Sequence, residues 1–214
     1  MEVSAEVRWF WDTDVPPKLN DWFVNSPMHP FPAGGEELRE DVYLYDPKQV
    51  ELGVKARGEK PGLEVKGLVG RAGSLSEGAF RGEIEIWAKW TSRALTLPAA
   101  TIVTSKARWL RKFDTGEGTP REIELNAEGK PVREDLPVRG CNVELTTVKT
   151  DDGKVAWTFG FEAFGKLDEV CEQLRAVAAS MSARQPPDFG HPSLKSYPAW
   201  LAEGDKGNHR TSKH

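Results

Sequence analysis

Polar and apolar residues alternate along many short segments of the chain, and this feature limits the fold more than any other. In the first segment the polar positions are Glu2, Ser4, Glu6 and Arg8, and the apolar ones are Val3, Ala5 and Val7. Successive side chains of a β-strand point to opposite faces of a sheet. The alternation therefore predicts strands that are charged on one face and apolar on the other.

The same pattern predicts about nine strands. They fall at residues 2–8, 42–45, 54–57, 63–66, 82–87, 105–109, 121–125, 142–149 and 155–162. Asp151-Asp152-Gly153 joins the last two, and an Asp-Gly pair favours a tight hairpin turn. Residues 167–177 repeat apolar positions at intervals of three and four, which predicts an amphipathic helix on the outside of the sheet.

The remaining segments divide the chain into a domain and a tail. Residues 9–40 include Trp9, Trp11, Trp22, Phe23 and Phe31 among several prolines, which predicts a packed loop with a short helix, acting as a plug or lid. After about residue 184 the chain is rich in Pro, Gly, Ser, Lys and His and poor in apolar residues. We therefore expect one domain at 1–183 and a flexible or loosely packed tail at 184–214.

Two folds are compatible with charges on one face of each strand. One is an open antiparallel sheet or sandwich with a solvated face, which periodicity alone favours because such faces are common. The other is a closed barrel whose charged side chains point inward and line a tunnel. Composition favours the barrel, since the polar positions are nearly all Glu, Lys or Arg, whereas a solvated face mixes in Ser, Thr, Asn and Gln.

A charged interior of this kind suits a phosphate chain. Lysine and arginine neutralise phosphoryl oxygens, and arginine does so through paired hydrogen bonds. Neighbouring carboxylates repel one another unless a cation compensates them, and oxygen ligands suit Mg²⁺ or Mn²⁺. The sequence thus predicts a site where basic side chains hold phosphates beside a divalent cation.

The order of these motifs resembles the CYTH or triphosphate tunnel metalloenzyme superfamily over about residues 1–182. The matching segments are Ser4-x-Glu6-x-Arg8, residues 41–46 followed by 52–57, Glu64-Val65-Lys66, Lys106-x-Arg108, Glu122-x-Glu124 and Asn142-x-Glu144. The resemblance implies an α+β, mainly antiparallel fold: a closed eight- or nine-stranded tunnel barrel with a charged interior and a few outer helices. It also implies hydrolysis or cyclisation of a triphosphate with Mg²⁺ or Mn²⁺.

Carried over by position, the resemblance assigns roles to individual residues. Glu6 and Glu144 would be catalytic, and Glu6, Glu124 and Glu144 would hold the metal. The phosphate ligands would be Arg8, Lys55, Arg57, Lys66, Lys106 and Arg108. For each of these residues the alternative role is a cross-strand ion pair inside the tunnel, and we expect that role for Glu83 and Glu85, which have no counterpart in the pattern.

Two departures from the family pattern leave the function open. Ser4 stands in place of the first carboxylate, and Asn142 stands where a second late acid is usual. Each change removes a negative ligand and weakens Mg²⁺ coordination. The sequence therefore predicts a metal-dependent triphosphatase, or alternatively a non-catalytic module that binds polyphosphate or another anionic metabolite. Cyclisation of ATP ranks last, because no base-recognition motif is recognisable.

Composition limits the classes of molecule that we expect this protein to bind. Basic and acidic residues number 29 and 33, for a net charge of −4, which argues against nucleic-acid binding. The two cysteines and four histidines lack zinc-site spacing. No apolar run approaches a membrane span of roughly 18 residues, and the N-terminus lacks a secretory signal. We expect a cytoplasmic protein with a triphosphate-containing small molecule as its partner.

Overall fold

The computed structural model describes residues 1–25, 36–58, 61–97, 100–126, 130–132 and 137–203. Within these residues the strands are β1 (Glu2–Trp11), β2 (Glu36–Leu44), β3 (Leu52–Arg57), β4 (Leu63–Glu77), β5 (Phe80–Ser92), β6 (Thr101–Asp114), β7 (Arg121–Ile123), β8 (Gly140–Thr150), β9 (Val155–Gly165) and β10 (Ser193–Leu194). The helices are α1 (Pro17–Val24), α2 (Val170–Ser182) and α3 (Tyr197–Ala202).

Eight strands form a closed antiparallel barrel. Their order is β1-β5-β4-β3-β2-β6-β8-β9, and β9 pairs with β1 to complete the circle. Strands β7 and β10 lie outside this circle, where β7 pairs with the end of β6 and β10 pairs with β1. The predicted barrel is confirmed, and the open sheet with a solvated face is wrong. The predicted hairpin is also present, and Gly153 takes the positive φ of 93° in its turn.

The main hydrophobic core lies outside the barrel, against the apolar faces of its strands. Phe159 and Phe161 on β9 are fully buried there, together with Phe80 on β5. Helix α2 covers this surface with one apolar stripe, whose buried members are Val170, Leu174, Val177, Ala178 and Met181. The predicted outer helix is thus confirmed, although it begins at Val170 because residues 166–169 form a turn.

The aromatic residues predicted to form a lid belong to this outer core. Trp9 and Trp11 lie on the apolar face of β1, and Trp22 and Phe23 lie on α1. Trp9 packs against several phenylalanine rings with centroid separations of 5.6–6.1 Å. They are therefore not a lid over the barrel interior. Phe31, which belongs to the same prediction, lies outside the described residues.

The segment predicted to be a tail is packed as far as residue 203. Trp200 on α3 is fully buried and stacks on Phe10, with 5.5 Å between the ring centroids. Phe10 shares the inward face of β1 with Arg8, so α3 packs against apolar side chains at one end of the barrel. Apolar burial outweighs the polar composition of this segment. Residues 204–214 lie outside the described residues.

No helix in the described part of the chain is long and apolar enough to cross a membrane.

Candidate functional site

The barrel interior encloses a cavity of about 250 Å³ with a mostly charged lining. Among the described residues, nine basic side chains line it: Arg8, Arg39, Lys55, Arg57, Lys66, Lys89, Lys106, Arg108 and Lys112. Five acidic side chains do so as well: Glu6, Glu64, Glu85, Glu144 and Glu162. The lining therefore carries more positive than negative groups, although the whole chain has a net charge of −4.

The structure brings together most of the predicted site residues. All six predicted phosphate ligands line the cavity, and so do Glu6 and Glu144. The cause is the strand period, because residues two apart on each barrel strand face the same side. Glu124 is the exception. It follows the short strand β7, is exposed and does not line the cavity.

One group of charges surrounds Asp41 and is called the Asp41 cluster here. The Asp41 carboxylate is fully buried on β2. Its Oδ2 lies 3.1 Å from Lys106 Nζ, 3.2 Å from Arg39 Nη2 and 3.4 Å from Lys55 Nζ. Arg57 Nε lies 3.7 Å from Oδ1. Four basic side chains thus converge on Asp41, and Glu64 pairs with two of them, at 3.2 Å from Lys55 Nζ and 3.3 Å from Arg57 Nη2.

The pKa values in the Asp41 cluster reflect this imbalance. Burial alone would raise the pKa of Asp41, but Lys106, Lys55 and Arg39 hold it well below its usual range. Burial lowers the pKa of Lys55 to about 8, and the nearby Arg57 acts in the same direction. Burial and Lys55 also hold the pKa of Lys106 well below its usual value. The lysines therefore lack enough negative charge around them.

Two tyrosines border the Asp41 cluster. Lys106 Nζ donates a hydrogen bond of 2.8 Å to the Tyr43 hydroxyl and lies 3.9 Å from the centroid of the Tyr197 ring. Tyr197 also lies 4.9 Å from the Arg8 guanidinium carbon. A cation near an aromatic face is attracted by the ring quadrupole. The C-terminal segment thus supplies a wall of the cavity.

A second group of charges is centred on Glu144. Arg8 Nη2 lies 2.5 Å from one of its carboxylate oxygens, and Arg108 Nη1 donates to the other at 3.1 Å. Arg108 also donates to Glu37. Burial would raise the pKa of Glu144, but Arg8 and Arg108 hold it far below its usual range.

Gly160 makes room for the Arg8 side chain. Gly160 is the cross-strand neighbour of both Arg8 on β1 and Glu144 on β8. A Cβ atom at this position would lie 2.9 Å from the Arg8 guanidinium carbon, which is closer than ordinary contact. The absence of a side chain here therefore lets Arg8 cross β9 to reach Glu144.

A third group is a row of carboxylates across three adjacent strands, called the carboxylate row here. Glu85 on β5 is directly opposite Glu6 on β1, and Glu6 is directly opposite Glu162 on β9. Asn142 on β8 comes next in the same row. Directly opposed residues have Cβ atoms about 4.5–5.5 Å apart. The row therefore concentrates negative charge on one side of the cavity.

The ammonium of Lys66 lies in the carboxylate row. It contacts a Glu6 oxygen and lies 3.5 Å from Glu162 Oε1. Burial would lower the pKa of Lys66, but Glu6 and Glu162 raise it above its usual value. Burial would likewise raise the pKa of Glu162, and Lys66 and Lys89 lower it. Burial raises the pKa of Glu85. A hydrogen bond from Trp87 partly opposes this rise, and the nearby Glu6 carboxylate adds to it.

The structure does not bring the three predicted metal ligands together. Glu6 is paired with Lys66, Glu144 lies between Arg8 and Arg108, and Glu124 lies away from the cavity. Glu124 lies there because β7 spans only three residues and pairs with β6 outside the barrel. Within the described ranges, no group of three His, Cys, Asp or Glu residues is arranged to hold a metal. The binding of one ion by Glu6, Glu124 and Glu144 stays a prediction.

Sequence reasoning missed several lining residues. Arg39 was overlooked because residues 36–40 form a run of mostly charged residues that hides the start of β2. Glu162 could have been predicted from the sequence, because it ends the predicted strand 155–162 and shares the alternation phase of the polar residue Thr158. Glu85 was expected to form a cross-strand ion pair inside the tunnel; it lines the cavity, but its direct cross-strand neighbour is the carboxylate Glu6. No sequence pattern indicates that Tyr197 lines a cavity, because the composition of its segment predicts a tail.

Comparison with known proteins adds no family assignment. No family model matches the chain, and no curated protein matches it either.

Proposed function

We propose that the barrel binds the phosphate chain of a linear polyphosphate or of a triphosphorylated small molecule, with side-chain cations as its main ligands. The observation that carries the proposal is the Asp41 cluster. Four basic side chains there lie 3.1–3.7 Å from the Asp41 carboxylate, and the only further carboxylate that contacts Lys55 or Arg57 among the described residues is Glu64, so positive charge is in excess. A multiply charged anion supplies the negative charge that this arrangement lacks.

Unused hydrogen-bond donors in the Asp41 cluster support the same conclusion. The buried Nε atoms of Arg39 and Arg57 have no hydrogen-bond acceptor among the described residues. A buried donor without an acceptor costs about 1–3 kcal/mol, and more when it is charged. Phosphoryl oxygens are suitable acceptors because guanidinium groups bind them through paired hydrogen bonds. The lysines of the cluster add positive charge without fixing the orientation of the ligand.

The cavity also favours an anion over a neutral ligand. Its lining contains few apolar side chains, whereas most pockets for neutral small molecules are lined by apolar and aromatic residues. The net negative charge of the chain repels polyanions from the outer surface. Attraction is therefore concentrated in the interior, where low dielectric strengthens each ion pair.

Metal-dependent hydrolysis of the triphosphate is the second candidate. The observation that favours it is the carboxylate row, because carboxylate and amide oxygens are the ligands that Mg²⁺ and Mn²⁺ prefer. Lys66 now contacts Glu6 and Glu162 in that row. Hydrolysis therefore requires Lys66 to leave the row, whereas binding by the Asp41 cluster requires no such change.

Calorimetric titration with inorganic tripolyphosphate in EDTA tests the first candidate. We expect saturable binding by the wild type and a loss of roughly tenfold to a hundredfold in affinity for Arg57→Gln, since a charge-assisted hydrogen bond contributes about 1.5–3 kcal/mol. Arg71→Gln is the matched control, because Arg71 pairs with Glu83 at the surface and is half exposed. Absence of binding to the wild type, or equal affinity for Arg57→Gln, would contradict the proposal.

Release of inorganic phosphate from tripolyphosphate, ATP and thiamine triphosphate distinguishes the second candidate. The assay is run with Mg²⁺ or Mn²⁺ on the wild type and on Glu162→Gln. If the barrel only binds its ligand, neither protein will release phosphate above the rate measured without protein. Release by the wild type that Glu162→Gln abolishes would instead establish hydrolysis.

A further inference from the structure

Lys66 compensates the carboxylate row as an ion-pair partner, which is the alternative to its predicted role as a phosphate ligand. The resemblance assigns Lys66 to phosphate, but its ammonium contacts Glu6 and lies 3.5 Å from Glu162 Oε1. Lys66 comes from β4, which is not one of the three strands that carry the carboxylates. Its side chain therefore reaches across β5 to lie between Glu6 and Glu162.

A cation at this position has a clear physical reason. Glu85, Glu6 and Glu162 are direct cross-strand neighbours, and like charges in that arrangement destabilise a sheet. Either a divalent ion or a buried ammonium can relieve the repulsion. The side chain of Trp87 supports the ammonium from another side, with its ring centroid 5.9 Å from Lys66 Nζ.

We propose that the Lys66 ammonium is the built-in cation of the carboxylate row and excludes Mg²⁺ and Mn²⁺ from it. A divalent ion entering the row would meet the positive charge of Lys66 at close range, and that repulsion opposes binding. Removal of the Lys66 ammonium would leave the three carboxylates without the cation that now relieves their mutual repulsion. The buried Oδ1 atom of Asn142, which has no hydrogen-bond partner among the described residues, would be a neutral oxygen donor beside them.

The proposal predicts that one substitution creates a metal site. Mn²⁺ alone is titrated calorimetrically into the wild type and into Lys66→Met, both stripped of metal. We expect Lys66→Met to bind Mn²⁺ at least about tenfold more tightly than the wild type, because a close positive charge is removed. Thermal unfolding provides a second readout, since an ion that binds only the folded variant raises its midpoint.

Lys89→Met is the matched control. Lys89 lines the same cavity and lies 2.8 Å from Glu2 Oε2, so its removal takes away one positive charge without uncovering Glu6. We expect a much smaller gain in Mn²⁺ affinity than for Lys66→Met. An equal gain would overturn the proposal, because the effect would then follow from net charge and not from the position of Lys66.

A double variant locates the new site. Glu6→Gln combined with Lys66→Met removes the ion pair and one of the three carboxylates, and we expect it to lose the gained Mn²⁺ affinity. If Lys66→Met does not fold without metal, Lys66→Gln replaces it, because its amide can still donate hydrogen bonds to Glu6. Mn²⁺ binding to the wild type as tight as to these single variants, or no gain in either of them, would overturn the proposal.

This inference and the proposed function fail separately. The Mn²⁺ titrations contain no phosphate, so a wild type that does not bind tripolyphosphate leaves their interpretation unchanged. Tight Mn²⁺ binding by the wild type would overturn the role of Lys66 and leave binding of anions at the Asp41 cluster intact.

Discussion

The Asp41 cluster and the carboxylate row lie in one barrel and carry opposite imbalances of charge. In the Asp41 cluster four basic side chains lie around Asp41 and Glu64. In the carboxylate row three carboxylates lie in line, Lys66 contacts two of them, and Lys89 also acts on Glu162. The row is compensated by lysines of the same chain, but the cluster keeps two buried arginine Nε donors without acceptors among the described residues. A charged interior therefore indicates its ligand by the charge that remains uncompensated within it.

The largest expected effect comes from removing one carboxylate of each group. Asp41→Asn removes a fully buried carboxylate that four basic side chains contact, and we expect a loss of about 3–5 kcal/mol in the free energy of unfolding. Glu162→Gln removes a carboxylate whose pKa Lys66 and Lys89 lower but which also repels Glu6, so we expect a smaller loss of about 1–2 kcal/mol. Urea denaturation measures both.

The effect of tripolyphosphate on stability should also distinguish these two variants. Tripolyphosphate should raise the unfolding midpoint of Asp41→Asn more than that of Glu162→Gln, because an added anion replaces the lost carboxylate. Equal destabilisation by the two substitutions, without a difference in the response to tripolyphosphate, would remove the contrast between the two regions.

The next effect concerns pH. The pKa of Lys55 falls from 10.5 to about 8 in the folded protein, so between those values the unfolded chain binds more protons. Stability must therefore rise with pH across this window. Relative to Lys55→Met, we expect the wild type to gain about 1–3 kcal/mol from pH 8 to 10.5, measured by denaturation at each pH.

Lys66 is the internal control for the pH experiment. Its pKa is raised, so its favourable charge is fully present below its unfolded pKa and is lost only as the pH rises through the folded value. Relative to Lys66→Met, the wild type should therefore show no such rise in stability between pH 8 and 10.5. If both lysines gave the same slope, the two regions would not differ in their charge balance.

The smallest effect concerns Gly160. A methyl group would contact the Arg8 guanidinium carbon at 2.9 Å, so Gly160→Ala should displace Arg8 from Glu144 and cost about 1–3 kcal/mol. Gly67→Ala is the matched control, because a Cβ atom there meets only Leu52 at 3.9 Å. Denaturation midpoints compare the two variants. Unchanged stability for Gly160→Ala would show that Arg8 does not depend on this space.

Strand phase explains how much of the site was predictable. Alternation places Arg8, Lys55, Lys66 and Arg108 on the charged face of their strands, and the closed barrel turns that face inward and brings them together. Alternation does not tell which charges pair across strands, because that depends on register and barrel order. For this reason Lys66 was assigned to phosphate although it contacts Glu6.

The C-terminal segment was not predictable from its composition. Residues 184–203 are rich in polar residues and proline, yet Trp200 is fully buried and Tyr197 borders the cavity. A partial signal exists on β1, where the inward phase changes from charged at Arg8 to apolar at Phe10. Such a change indicates an apolar partner at that end of the barrel, but not which segment supplies it.

The decisive measurement is a crystal structure of the wild type with tripolyphosphate, first in EDTA and then with Mn²⁺. We expect phosphoryl oxygens within hydrogen-bond distance of Arg39 and Arg57 under both conditions. We also expect Lys66 to keep its contacts with Glu6 and Glu162. A phosphate chain bound away from the Asp41 cluster, or Mn²⁺ between Glu6 and Glu162 with Lys66 displaced, would contradict these expectations.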